Sequence, residues 1–240
     1  MAGQPPLHIS ALFYAGPIFS VAAQFANGQT AVRFVNNNSV GGYSPLPFAC
    51  LLTNSFIWML YGTLLEDFVI WVPHSVGICV GVGCVAAYQS VSCAMHLATY
   101  LPVSLAGCFA LFCAYSRDIQ SLGLLGCAMT ILMIGAPLVT LRSVLANKST
   151  ASMSLPVTVV SFFNGASWAL YGALIAEDPM IYGPSLIGMA LSGLQLCLFA
   201  CYGFGAPSRK LVPPLVLAPS KAPDPTHRPR AQTLTSISEV

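Results

Sequence analysis

The chain reads as an all-α integral membrane protein: seven transmembrane helices arranged as two parallel three-helix bundles joined by a linker helix. Three observations give that reading: a composition poor in charge, seven long uncharged stretches, and an internal repeat that takes up three stretches at a time. Of 240 residues, 56% are hydrophobic and 7% charged, whereas ordinary soluble domains carry about 25% charged residues. So few charges exclude a water-soluble fold.

A helical crossing of a bilayer needs about 20 mainly apolar residues. Seven stretches meet that requirement: Ile9–Val35, Pro47–Leu65, Phe68–Ser90, Ala98–Tyr115, Ile119–Val144, Leu155–Ile175 and Met180–Tyr202. Arg33, Arg117, Asp118 and Arg142 fall at or near their ends, where a charge escapes the roughly 2.5–3.5 kcal/mol cost of the helix centre. The first stretch is expected to stay in the mature protein, since no Lys or Arg precedes it and it is too long for a signal-peptide core.

The nine Cys residues lie within or at the ends of apolar stretches with no C-x-x-C pair, and are read as small buried residues. The four His residues have no metal-ligand spacing, so no metal and no cofactor are expected. The net charge of +2 says nothing of nucleic acid, because the basic residues are dispersed and follow the membrane, and no nucleic-acid partner is expected. The expected partners are a small solute and the lipid bilayer, with association between copies left open.

Orientation follows from the charges. With the N-terminus outside, eight of the nine Lys and Arg residues fall on the cytosolic side and Arg117 alone falls outside, which satisfies the positive-inside rule. The acids Glu66, Asp67, Asp118, Glu177 and Asp178 gather on the outer side. The plasma membrane is the expected location, with the Golgi or another endomembrane as the alternative. Residues 205–240, rich in Pro, Ser, Lys and Arg, read as a disordered cytosolic tail.

The repeat decides the architecture. Asn54-x-x-x-Trp58-x-x-Tyr61-Gly62 returns as Asn164-x-x-x-Trp168-x-x-Tyr171-Gly172, a spacing of 110 residues. Upstream, Ser39 and Leu46-Pro47 match Ser149 and Leu155-Pro156. Downstream, Asp67, Pro73 and Gly77 match Asp178, Pro184 and Gly188 at a spacing of 111. The organisation is thus a first three-helix repeat over 8–92, a linker helix over 97–116, a second repeat over 118–203 and the tail. An unmatched fourth crossing makes the two repeats parallel, an arrangement known among transporters, with the substrate site at the repeat interface near mid-membrane.

Within a helix, positions i, i+4 and i+7 share a face. Asn54, Trp58 and Tyr61 therefore form one stripe, and Asn164, Trp168 and Tyr171 its twin. Trp58 lies seven residues before Leu65, roughly 10 Å from the helix end at 1.5 Å per residue, deeper than the interfacial belt that Trp favours. Aromatic faces suit the C–H faces of a pyranose, and Asn both donates to and accepts from hydroxyls. The competing reading is a pair of packing Trp residues with Asn bridging helices. His74, one residue after Pro73, is the ionisable side chain that lies clearly within a span, and such a residue marks a functional site by default. Ser185 follows Pro184 in the matching place. Pro17, Pro47, Pro137 and Pro156 read as kink or hinge points, and Trp71 as an interfacial anchor.

Ser44-Pro45-Leu46-Pro47-Phe48, Asn54, Trp58, Tyr61-Gly62, Val72-Pro73 and Gly77 resemble the first repeat of the SWEET family. Asn147-Lys148-Ser149-Thr150, Leu155-Pro156, Asn164, Ser167-Trp168, Tyr171-Gly172 and Asp178-Pro179 resemble its second. The likeness covers about residues 8 to 204. It implies a passive, bidirectional uniporter of mono- or disaccharides whose bundles rock around a central site. The family's pocket pairs fall on Trp58 and Trp168, and on His74 and Ser185, where the family usually has Asn twice. Its inner proline hinges fall on Pro47, Pro137 and Pro156, with Asn27 in the fourth place, and its outer tyrosine–aspartate gate falls near Tyr61 and Asp178, with Tyr171 as the repeat match of Tyr61. A carrier of another small polar metabolite, or a non-transporting sensor or scaffold of the same fold, is the alternative. No nucleophile–base constellation indicates an enzyme.

Overall fold

The computed structural model describes residues 7–92 and 96–203, with the side chains of 7–12, 136–137 and 139–140 outside the description. The proposed tail therefore lies outside the described residues. Among the described residues seven helices follow one another: α1 (Leu7–Asn37), α2 (Leu46–Leu64), α3 (Phe68–Val91), α4 (Leu97–Tyr115), α5 (Ile119–Asn147), α6 (Leu155–Leu174) and α7 (Pro179–Tyr202). Helices α1 and α5 run past their apolar stretches into polar sequence, to Asn37 and Asn147. Five helices are long and apolar enough to cross a membrane on their own, α2, α3, α4, α6 and α7. In α1 the polar residues Gln24, Asn27, Gln29 and Thr30 dilute the hydropathy, while α5 contributes the apolar stretch Ile119–Gly135.

Contacts between helices trace a closed ring, α1–α3–α2–α5–α7–α6 and back to α1, with α4 outside it against α2 and α5. Exchanging α1 with α5, α2 with α6 and α3 with α7 maps this ring onto itself, as two parallel repeats require. Small residues permit the closest approaches. A Cβ on Gly62 would lie 3.0 Å from the Trp71 nitrogen, and one on the equivalent Gly172 would lie 2.8 Å from the Tyr182 nitrogen.

One end of the ring carries the acids. Its three turns are built alike, each with a non-glycine residue in the left-handed region followed by an aspartate. Glu66 (φ 56°), Arg117 (φ 56°) and Glu177 (φ 51°) supply the first element. The following N–H groups close back on the preceding helix, Asp67 to the Gly62 carbonyl at 2.8 Å, Asp118 to Cys113 at 2.9 Å and Asp178 to Gly172 at 2.8 Å. Each aspartate then caps the next helix, accepting from Val69 N and Ile70 N, from Ser121 N, and from Met180 N. Such caps satisfy amides that have no carbonyl partner within the helix. The Ser121 contacts hold the Asp118 carboxyl below its ordinary pKa.

The opposite end, from which the tail departs, is held differently in the two bundles. In the first, Phe34 meets Tyr43, Phe48 and Tyr88 edge-on at 5.3, 5.6 and 5.8 Å, and the Tyr88 hydroxyl donates to the Tyr43 carbonyl at 2.8 Å. In the second, the positions equivalent to Phe34, Phe48 and Tyr88 are Val144, Thr158 and Phe199, all buried. There the Thr150 hydroxyl ties the α5–α6 turn to the Gly203 carbonyl at 2.7 Å.

Candidate functional site

The ring of helices encloses a cavity of about 340 Å³ at mid-height. Trp58, Trp168, Asn54, Asn164, His74 and Ser185, each singled out from sequence, all line it. Each Trp belongs to one bundle and is held by the other. The Trp58 indole N–H donates to Thr130 Oγ1 on α5 at 3.0 Å, and that hydroxyl donates to Asn54 Oδ1 at 3.0 Å. On the other side the Trp168 N–H donates to Ser20 Oγ on α1 at 2.8 Å, which donates to Asn164 Oδ1 at 2.8 Å. Both chains run indole to hydroxyl to amide oxygen, so each Asn keeps its NH₂ donors for the cavity.

The indoles lie flat on glycines of the opposite bundle. A Cβ on Gly126 would be 3.1 Å from the Trp58 ring, and one on Gly16 would be 3.1 Å from the Trp168 ring. Gly16 with Ser20 and Gly126 with Thr130 are therefore the seats on which the two indoles rest, at the repeat spacing of 110. The sequence reading missed all four. The signal was present in that spacing, but recognising it requires knowing that α1 packs on α6 and α5 on α2.

The two indoles do not face each other across empty space. The His74 imidazole lies between them, its centroid 6.2 Å from each, with interplanar angles of 21° to Trp58 and 29° to Trp168. Ser185, its repeat counterpart, donates its hydroxyl to the Ile181 carbonyl at 2.7 Å. Pro184 lacks an N–H, which frees the carbonyl four residues earlier. That carbonyl, of Met180, accepts from the Cys127 thiol at 3.2 Å.

Above the cavity, at the acid-rich end, two hydrogen bonds bridge the bundles. The Tyr61 hydroxyl donates to Asp178 Oδ2 at 2.5 Å, and the Tyr171 hydroxyl to Asp67 Oδ2 at 2.6 Å. Such short O–H···O⁻ contacts are characteristic of charge-assisted bonds. In both aspartates the other oxygen caps a helix. The family resemblance assigns Tyr61, Tyr171 and Asp178 to an outer gate and leaves Asp67 unassigned, although it is the repeat match of Asp178. Both tyrosines also meet their own Trp edge-on, at 5.4 and 5.7 Å.

The residues read as hinges lie on four different helices. Pro47 and Pro156 are exposed and occupy the first turns of α2 and α6, where a missing N–H forfeits no helical bond. Asn27 is half-buried in α1, and its carbonyl accepts from the Cys84 thiol at 3.5 Å. Pro137 falls within α5, its side chain outside the description. The eight described Cys residues are free thiols, four of them exposed rather than buried. The exposed thiols are those of Cys79, Cys108, Cys197 and Cys201. No group of side chains able to hold a metal occurs among the described residues.

A profile of the family described as sugar efflux transporters for intercellular exchange matches this chain twice, over residues 10–93 and 120–204. The chain belongs to this family, that of the SWEET transporters. The two matches fall on α1–α3 and on α5–α7. SWEET1, a sugar transporter of Caenorhabditis elegans, is 30% identical over 187 residues, covering 75% of this chain and 61% of that protein. SWEET1 of Mus musculus is 32% identical over 188 residues, covering 74% of this chain and 84% of its own length. The solved structure of a eukaryotic SWEET transporter superposes with a TM-score of 0.70 at 24% identity, covering 80% of this chain and 95% of the other. The family is one of membrane transporters and not of enzymes, and the fold is the SWEET fold.

Proposed function

We propose that this protein carries sugars passively and in both directions across a membrane, by alternating access of the central cavity to its two ends. The observation that carries the reading is the pair of Trp–hydroxyl–Asn chains, one from each repeat, converging on a single cavity beneath two inter-bundle latches. Aromatic faces and free amide donors are what a pyranose requires, C–H surface on one side and hydroxyls at its edge. The cavity is at the lower end of the range of about 300–1000 Å³ typical for small ligands. With Tyr61–Asp178 and Tyr171–Asp67 joined, the acid-rich end is shut. Breaking both bonds while the two bundles rock apart would admit substrate there. Pro47, Pro137, Pro156 and Asn27 would accommodate the opposite movement near the tail end.

The acid-rich end is taken as the outer side and the tail as cytosolic, on the bias of eight Lys and Arg residues to one. The plasma membrane suits that orientation. Among the described lining residues no carboxylate occurs, and His74 is the one ionisable side chain, so no coupling ion has an evident site. The test is uptake and efflux of labelled glucose, fructose and sucrose in transport-deficient cells under imposed pH gradients. Equal final concentrations at every gradient are expected. Accumulation above the external concentration that disappears in His74→Asn would overturn passive transport and make His74 a coupling residue.

A further inference from the structure

The cavity is symmetric only around the indoles. There Ser20, Asn54, Trp58, Ile70 and His74 each have their repeat counterpart in the lining. Toward the tail end the lining continues on the second bundle alone, over Met133, Ile134, Ser161, Gly188, Leu191 and Ser192. Ser192 lies seven residues beyond Ser185 on α7, roughly 10 Å further along the axis at 1.5 Å per residue.

The first bundle has no such crevice because its interior is filled. Gln24 on α1 is buried and donates its amide N–H to the Pro73 carbonyl at 3.1 Å. A Cβ on Gly77 would lie 2.3 Å from Ser55 Oγ, and one on Gly81 would lie 2.9 Å from the Leu52 Cα. In the second bundle Ile134 replaces Gln24 and Gly165 replaces Ser55. A Cβ on Gly188 would meet only Ile134 Cδ1, at 3.8 Å. Helix α5 therefore stands clear of α7 where α1 is locked onto α3.

The polar groups of the two regions also differ. Around the indoles the hydroxyls of Ser20 and Thr130 are occupied with the neighbouring Asn and Trp. In the crevice Ser161 and Ser192 make no side-chain hydrogen bond among the described residues, and they stand beside the apolar flanks of Met133, Ile134 and Leu191. Unengaged hydroxyls beside apolar surface match a second sugar ring, which also presents both hydroxyls and C–H patches.

We propose that this crevice is a second subsite that takes the second ring of a disaccharide whose first ring lies at the indoles. The proposal rests on the sugar-transport reading. It gives a two-ring substrate one orientation, with its second ring in the second bundle, on the tail side of the indoles. A monosaccharide leaves the crevice empty.

The experiment uses the full-length purified protein in liposomes, with labelled glucose and sucrose measured side by side. Ser192→Ala, which barely alters packing, is expected to raise the KM for sucrose about tenfold, the effect of one lost hydrogen bond of about 1.4 kcal/mol, and to leave glucose kinetics unchanged. Gly188→Leu, which fills the crevice, is expected to abolish sucrose uptake while glucose uptake persists and reports that the protein is folded. Equal losses for both sugars, or no change for either, would overturn the subsite. So would a wild-type protein that moves glucose but neither moves sucrose nor is inhibited by it. A wild-type protein that moves no sugar would overturn the transport reading itself, and the subsite with it.

Discussion

The two bundles share a sequence pattern and a helix order, yet their interiors are built differently. The first is closed by a polar contact, Gln24 to the Pro73 carbonyl, by Ser55 filling the space over Gly77, and by four aromatic rings at the tail end. The second has Ile134, Gly165, Val144 and Thr158 at corresponding positions, keeps a single ring there in Phe199, and has a crevice between α5 and α7. The repeats agree where the bundles meet, at the Trp–Asn stations and the latches. They diverge within each bundle. Symmetry is thus kept at the interface between the bundles and lost in the interior of each.

The largest expected effect tests the shared part. Trp58→Ala and Trp168→Ala should each abolish sugar uptake while expression stays near that of the wild type, because each removes an indole face and breaks a chain to the other bundle. Truncating a buried Trp typically costs about 3–5 kcal/mol, so Trp58→Phe and Trp168→Phe serve as milder partners that keep a ring. Full uptake in both alanine variants would return the two residues to a packing role. Loss in one alone would mean that the symmetry of the stations is geometric without being functional.

The next effect tests the divergent part. Gly77→Ala should lower thermal stability by about 1–3 kcal/mol, the usual cost of overpacking, since its Cβ would lie 2.9 Å from the Ser55 Cβ and 2.3 Å from its hydroxyl. The equivalent Gly188→Ala should be neutral or stabilising by up to about 1 kcal/mol, because alanine is the better helix former and its Cβ meets nothing closer than 3.8 Å. Ser55→Gly should rescue Gly77→Ala. Equal melting temperatures for the two single variants would show that the first bundle yields as readily as the second.

Much of this was legible in the sequence because membrane helices announce themselves by length and apolarity and because the repeat doubles each motif. The stripes through Trp58 and Trp168 follow from helical spacing and the repeat, whereas Tyr61, Tyr171 and Asp178 are linked to a gate only through the resemblance to the family. Ser20 and Thr130 could not: a hydroxyl inside a helix is common, and it becomes significant only once α1 is seen against α6. The same holds for Gly16 and Gly126, which matter for the rings lying on them. The sandwiching of His74 and the closure around Gln24 depend on which helices approach closely, and no local pattern encodes that.

The smallest expected effect concerns the latches, where the two halves should behave alike. Tyr61→Phe and Tyr171→Phe keep the ring contacts, with Gly123 beneath Tyr61 and Phe13 edge-on to Tyr171 at 6.0 Å, and remove only the hydroxyl. A hydrogen bond to a charged group contributes about 1.5–3 kcal/mol, and at a membrane end the lower figure applies, so each change should favour opening about tenfold. Cys127, whose thiol donates to Met180 on α7, is a native reporter. Its rate of modification by an impermeant thiol reagent added at the acid-rich end, followed by peptide mapping to separate it from the exposed Cys residues, should rise equally in the two variants. The double variant should show the product of the two increases, because the latches share no partner. If only Tyr61→Phe speeds the reaction, the Tyr171–Asp67 bond holds nothing shut and the gate is one-sided. If neither does, closure at this end rests on the packing of Tyr61 against Gly123, and Gly123→Ala, which would push that ring away at 2.9 Å, becomes the variant that opens it.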